Sequence, residues 1–156
     1  MKLVIMTKST FFVEEDKILT TLFDEGMDNL HLFKPGSTPL YAERLLSLIP
    51  EDYYRKITVH DHFYLKNEYD LAGIHLDSAD TEIPNNYKGK IGRTCTDIQM
   101  LKEMKKKSSC VFLKNIFDCI EFSEEKKTFT QQQLEDAADK GLIDRHVYAL
   151  GGMSLD

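Results

Sequence analysis

Tryptophan is absent from this chain of 156 residues, and cysteine occurs only three times. Cys95, Cys110 and Cys119 are odd in number and carry no C-x-x-C spacing. That argues against a disulfide framework or a cysteine zinc site and fits reduced thiols of the cytoplasm. No apolar run approaches the ~18 residues that a bilayer crossing requires, so no membrane partner is expected. The opening MKLVIMTKSTFF has a short apolar stretch without a cleavage-site pattern, and reads as a strand rather than a signal peptide. Positive charge is in deficit, with 20 Lys and Arg against 26 Asp and Glu, a net of −6. That argues against a general nucleic-acid binder and leaves room only for a local basic pocket. Neither G-x-G-x-x-G nor G-x-x-x-x-G-K-[ST] follows any strand, which weakens a nucleotide-binding reading.

What is present is a globular composition, 42% apolar and 29% charged, at a length that suits a single domain over 1–156. One rhythm repeats along it. Strands are expected at 2–6, 29–33, 57–60, 72–76, 90–94, 110–113 and 146–150. Between the first two, Val13, Ile18, Leu19, Leu22 and Phe23 recur on one helical face. Glu14, Glu15 and Asp16 suit the positive end of that helix, and Gly26 stops it. The second helix has Thr38 as N-cap and Pro39 at its first position, then Leu40, Leu45, Leu46 and Ile49 before Pro50. A short helix is expected over 62–69. Thr96 with Gln99, and Thr130 with Gln133, are spaced as capping boxes that open two further helices. Lys105, Lys106 and Lys107 read as a solvated helix end.

Seven strands alternating with helices argue for an α/β fold with a parallel sheet, because parallel neighbours need crossovers of this length. Two architectures fit: an open doubly wound sheet and a (β/α) barrel of the TIM type. A full barrel takes about 250 residues, so the barrel reading has the last βα unit missing. Its open strand edges predict self-association into a homo-oligomer.

Active sites of either architecture gather at the C-terminal ends of the strands. There the sequence places Thr7, Lys8 and Ser9, Lys34, His60, Asp61 and His62, Asp77 and Asp80, Arg93, Thr94 and Thr96, Asn115 and Asp118, and Gly151 with Gly152. Asp61 and Asp80 are a carboxylate pair suited to Mg²⁺, although each also reads as an ordinary loop residue, a cap or a lysine partner. Gly151 and Gly152 would let the backbone approach a phosphate, or simply form a turn. His60 and His62 flank Asp61 and suit acid–base work. His31 and His75 alternate within apolar strands and read as barrel-interior or packing residues. His146 reads as structural.

Several segments, in order, carry a family likeness: Lys-Leu-Val-Ile-Met-Thr, Leu-His-Leu-Phe-Lys-Pro, Val-His-Asp-His, Gly-Ile-His-Leu-Asp-Ser-Ala-Asp, Ile-Gly-Arg-Thr, Val-Phe-Leu-Lys-Asn-Ile-Phe-Asp and Ala-Leu-Gly-Gly-Met. Together they resemble the thiamine-phosphate synthases and the related thiazole tautomerases over nearly the whole chain. The resemblance implies a barrel that joins an aminopyrimidine diphosphate to a thiazole phosphate with release of pyrophosphate. Its partners would be those small phosphorylated substrates. It implies that Asp61 and Asp80 hold Mg²⁺, that the Thr94 hydroxyl lies near the diphosphate, and that Gly151 and Gly152 receive the thiazole phosphate. His60 stands where synthases usually carry Asn. Phe33 stands where they usually carry Arg, leaving Lys34 as a point charge there. Tautomerases carry a catalytic His where this chain has Asn115. Lys34, His60 and Asn115 are therefore the expected catalytic positions. The alternatives are a tautomerase-like isomerase and a phosphate-binding barrel without turnover.

Overall fold

The structure is a computed structural model that describes residues 4–78, 81–96, 98–114 and 147–150, with 132, 135, 136 and 139–141. The chain divides into two compact units, Met1–His75 with Glu82–Lys90, and Leu76–Thr81 with Ile91–Asp156.

The first unit contains β1 (Val4–Met6), α1 (Glu15–Asp24), β2 (Asn29–Leu32), α2 (Pro39–Leu48), a 3-10 turn (Glu51–Lys56), β3 (Ile57–Val59), α3 (Leu65–Glu68) and all but the last residue of β4 (Gly73–Leu76). Its strands pair in parallel and in chain order. Ile5 is opposite Leu30, Leu30 opposite Ile57, and Val59 opposite Ile74. The second unit contains β5 (Lys90–Cys95, from its second residue), a 3-10 turn (Ile98–Met100), α4 (Leu101–Lys106), β6 (Cys110–Lys114) and β7 (Val147–Leu150). There too the order follows the chain, with Thr94 opposite Phe112 and Phe112 opposite Tyr148. Sheet order that follows chain order belongs to a (β/α) barrel; a doubly wound sheet reverses at a switch point. The seven expected strands are all present, each within two residues of its expected ends.

Residues alternate between the two faces of a strand, and the register sorts them. Leu30, Leu32, Ile57, Val59 and Ile74 share one face of the first unit and are fully buried. In the second unit Cys95, Leu101, Val111 and Leu113 form a buried cluster, with Met104 and Val147 against it. Cys95 is buried and Cys110 half buried.

The helices depart from expectation in their facing. Val13 precedes α1 and is 89% exposed, and Ile18 is half exposed. The buried stripe of α1 is Glu15, Leu19 and Phe23, at i, i+4 and i+8. Its far end closes as the sequence predicts. Gly26 takes a φ of 100°, its N–H returns to the Phe23 carbonyl, and that of Met27 returns to Leu22. This paired closure needs a left-handed residue, and the buried Met27 anchors it. In α2, Thr38 is extended and makes no side-chain cap hydrogen bond, and Leu40 is exposed while Ala42, Leu45 and Leu46 are buried. The helix expected over 62–69 is one turn of α3. The Thr130–Gln133 box lies outside the described residues.

Gly73 has a steric reason to be glycine, since a Cβ there would lie 2.4 Å from the Lys90 carbonyl oxygen. Leu30→Ala should remove about 2–5 kcal/mol of stability by opening a cavity on the aliphatic face. Val13→Ala should change stability by less than ~0.5 kcal/mol. Urea denaturation midpoints of the two variants check this division between buried and exposed apolar side chains.

Candidate functional site

The second face of the first unit is polar yet almost dry. His31 is opposite Thr58, and Thr58 is opposite Gly73. Counting two residues on from Thr58 and from Gly73 puts His60 and His75 on the same face as His31 and Phe33. Parallel strands covered on both sides usually read as unbroken apolar runs. Here the alternation survives because this face carries polar side chains. His31, His60 and His75 are 2%, 3% and 0% exposed.

The three imidazoles touch. His31 Nδ1 lies 2.8 Å from His60 Nε2, so one ring donates a proton and the other accepts it. The His60 ring stacks on His75, with centroids 4.4 Å apart and planes at 22°. His31 meets both rings edge-on, at 5.1 and 5.2 Å. Phe33 closes one flank, its ring edge-on to His60 at 5.4 Å. Burial, reinforced by His60 and His75, holds His31 well below the ordinary imidazole value of 6.5, because a charged ring there would lose its hydration beside two other imidazoles.

Beyond the strand ends the backbone is pinned. Thr7 Oγ1 donates to the Phe33 carbonyl at 3.1 Å and accepts the Phe33 N–H at 3.0 Å. The Thr7 N–H donates to the His31 carbonyl, extending the β1–β2 ladder. Lys34 points back into the loop before α1. Its ammonium donates to the carbonyls of Lys8 (2.8 Å) and Thr10 (2.7 Å) and to Glu15 Oε1 (2.5 Å). It also lies 4.7 Å from the centroid of the Phe11 ring. Both members of this ion pair are buried. All three donors of Lys34 are thus directed at the segment that joins β1 to the start of α1, and Glu15, expected as a dipole acid, is its counter-ion.

Asp61 lies two residues after the end of β3, beyond His60, and is half buried. His62 after it takes a left-handed φ of 53° and places Nε2 2.9 Å from the Ser37 carbonyl. In the second unit, Thr94 lies on the face of β5 opposite the Cys95 cluster, in register with Phe112. Asp80, Asn115, Gly151 and Gly152 lie outside the described residues. Sequence reasoning singled out His60, Asp61 and Thr94 one by one, at or near strand ends. It missed His31 and His75 as a cluster with His60; the signal was a histidine at matching parity in three successive strands.

The crystal structure of thiamine phosphate pyrophosphorylase from Bacteroides thetaiotaomicron is 44% identical to this chain, with a TM-score of 0.89. The match covers 99% of this chain and 74% of that one. The chain belongs to the thiamine phosphate pyrophosphorylase family. The enoyl reductase domain of MlnA, from the macrolactin biosynthesis cluster of Bacillus amyloliquefaciens, matches at 12% identity and a TM-score of 0.54, over 97% of this chain and 47% of that one. That likeness shows fold alone. No family model and no curated protein matches the chain. Within this family, the chain carries the buried histidine cluster and the Lys34–Glu15 pair as features of its first unit.

Two consequences are measurable. Glu15→Ala strands a buried ammonium and should cost about 3–5 kcal/mol, and adding Lys34→Met should recover part of that loss. Denaturation of the single and double variants decides it. For pH, the His31 value is depressed in the folded state, so the unfolded chain takes up the proton first as pH falls. Stability is therefore intact above 6.5 and lost below it, by up to ~1.4 kcal/mol per pH unit for this residue. Urea midpoints between pH 7.5 and 5.5 should fall for the wild type and less steeply for His31→Gln.

Proposed function

We propose that this chain is a transferase of the thiamine-phosphate synthase type, acting in thiamine biosynthesis. The thiazole nitrogen would attack the exocyclic methylene of the aminopyrimidine as its bond to the diphosphate oxygen breaks, releasing pyrophosphate. The 44% identity to a thiamine phosphate pyrophosphorylase over 99% of the chain is the observation that carries this reading.

The residues would divide the work as follows. Asp61, a half-buried carboxylate just beyond β3 and His60, would offer the hard oxygen donor that Mg²⁺ prefers, and Asp80 would be its partner. Bound there, Mg²⁺ would supply charge stabilisation to the leaving diphosphate. The Thr94 hydroxyl would donate to the diphosphate, and the backbone at Gly151 and Gly152 would receive the thiazole phosphate. His60 and Asn115 would orient the reacting rings. Lys34 would act through the loop it holds before α1. Catalysis of this kind is mostly positioning and charge stabilisation, without a covalent nucleophile. We place the protein in the cytoplasm; no helix among the described residues is long and apolar enough to cross a membrane.

Phe33 favours a second reading, a barrel that binds a phosphorylated ligand without turnover. An aromatic ring packed on His60 supplies no charge to a diphosphate. The test is direct incubation with pyrimidine diphosphate, thiazole phosphate and Mg²⁺, following thiamine phosphate by its fluorescent oxidation product. Magnesium-dependent product is expected, with kcat/KM at least ~100-fold lower in Asp61→Asn, a loss of about 2.7 kcal/mol of transition-state stabilisation. Unchanged turnover in that variant would remove Asp61 from the metal site. Absence of product with retained binding of thiazole phosphate would establish the second reading.

A further inference from the structure

We propose that His31, His60 and His75 form a binding site for one divalent transition-metal ion of the zinc type, on a donor set distinct from the carboxylates proposed for Mg²⁺. The proposal stands on geometry and donor chemistry alone, whichever reading of the overall reaction holds. One ring nitrogen from each of the three histidines can be chosen so that all lie within 4.8 Å of one another. This is the single group of its kind among the described residues. Three imidazoles around an ion with metal–nitrogen bonds of about 2.0–2.1 Å and tetrahedral angles have nitrogens ~3.3 Å apart. The observed 2.8 Å between His31 and His60 and the 4.8 Å limit bracket that value. Coordination would therefore exchange the His31–His60 hydrogen bond for two metal–nitrogen bonds. Side-chain rotation supplies the change, and the three strands need not move.

Donor type selects the ion. Imidazole suits zinc, iron, cobalt, nickel and copper, whereas Mg²⁺ demands oxygen. All three rings are buried, and their ligating nitrogens sit on adjacent strands whose register is fixed by backbone pairing. The strands thus hold the three rings together before the ion arrives, unlike a surface histidine pair, and only ring rotation remains for coordination. Three protein ligands leave a fourth position open, as in catalytic rather than structural zinc sites. Water or a heteroatom of a bound ligand would fill it.

The experiment uses the full chain without an affinity tag, stripped with chelator and dialysed. It is titrated with Co²⁺ as a spectroscopic substitute, then with Zn²⁺ as competitor. One equivalent of Co²⁺ with the visible absorption of a tetrahedral nitrogen site is expected, displaced by Zn²⁺. His31→Gln and His60→Asn should each weaken binding by more than ~100-fold, beyond what loss of an outer-shell partner gives. His62→Ala, which removes the nearby half-buried histidine, should leave it unchanged. Circular dichroism establishes that each variant is folded; should one histidine variant fail to fold, the other two and His75→Gln decide the matter. Failure of the wild type to bind one equivalent overturns the proposal. So does equal binding by the folded His31 and His60 variants, or loss of binding in His62→Ala.

Discussion

Backbone pairing of His31 with Thr58, and of Thr58 with Gly73, decides which side chains of the first unit meet. A one-residue slip would send the histidines to the aliphatic face and Leu32, Val59 and Ile74 to the polar one. Neither outcome is tolerable. Leucine and isoleucine would face one another across a site without polar partners, and imidazoles would be buried among aliphatic groups at a cost of a few kcal/mol each. The two faces therefore hold each other in register. Gly73 adds a steric lock, because only a residue without a Cβ lets Lys90 approach.

The same parity explains how the polar face is covered. Phe33, His60 and His75 present flat rings that stack or meet edge-on, and rings in that arrangement bury one another. The one strongly charged group at the end of β2, Lys34, is turned away from them. Its charge is neutralised by Glu15 and its remaining donors by two carbonyls, so it sets the path of the β1–α1 loop. A buried pair of this kind is a weak source of stability but a strict one of geometry, since neither partner can be left alone.

Legibility followed physical locality. Strand positions could be read because each depends on a short apolar run and its own punctuation. The Gly26 closure could be read because it depends on one short segment, Leu22 to Met27. Helix facing could not be read from apolar spacing alone: Val13 and Ile18 fit the periodicity as well as Leu19 does, and only tertiary contact separates them. Glu15 looked like a first-turn acid because its partner lies 19 residues away. His31 and His75 looked like packing residues for the same reason. Each is unremarkable in its own strand, and the cluster exists only once strand order and register are known.

The first unit also differs in character from a site built to hold a diphosphate by protein charge. The expected arginine position carries Phe33, and the neighbouring ammonium is committed elsewhere. What remains on that face is three buried imidazoles, with His31 favoured in its uncharged form. Neutral imidazoles stack on heterocycles, accept and donate single hydrogen bonds, and bind soft or borderline metals, but they do not balance two or more negative charges. Any diphosphate bound by this chain must then draw its countercharge from a cation on Asp61 or from residues outside this face. Phe33 and the three gathered histidines thus stand where the family resemblance implies a fixed guanidinium charge.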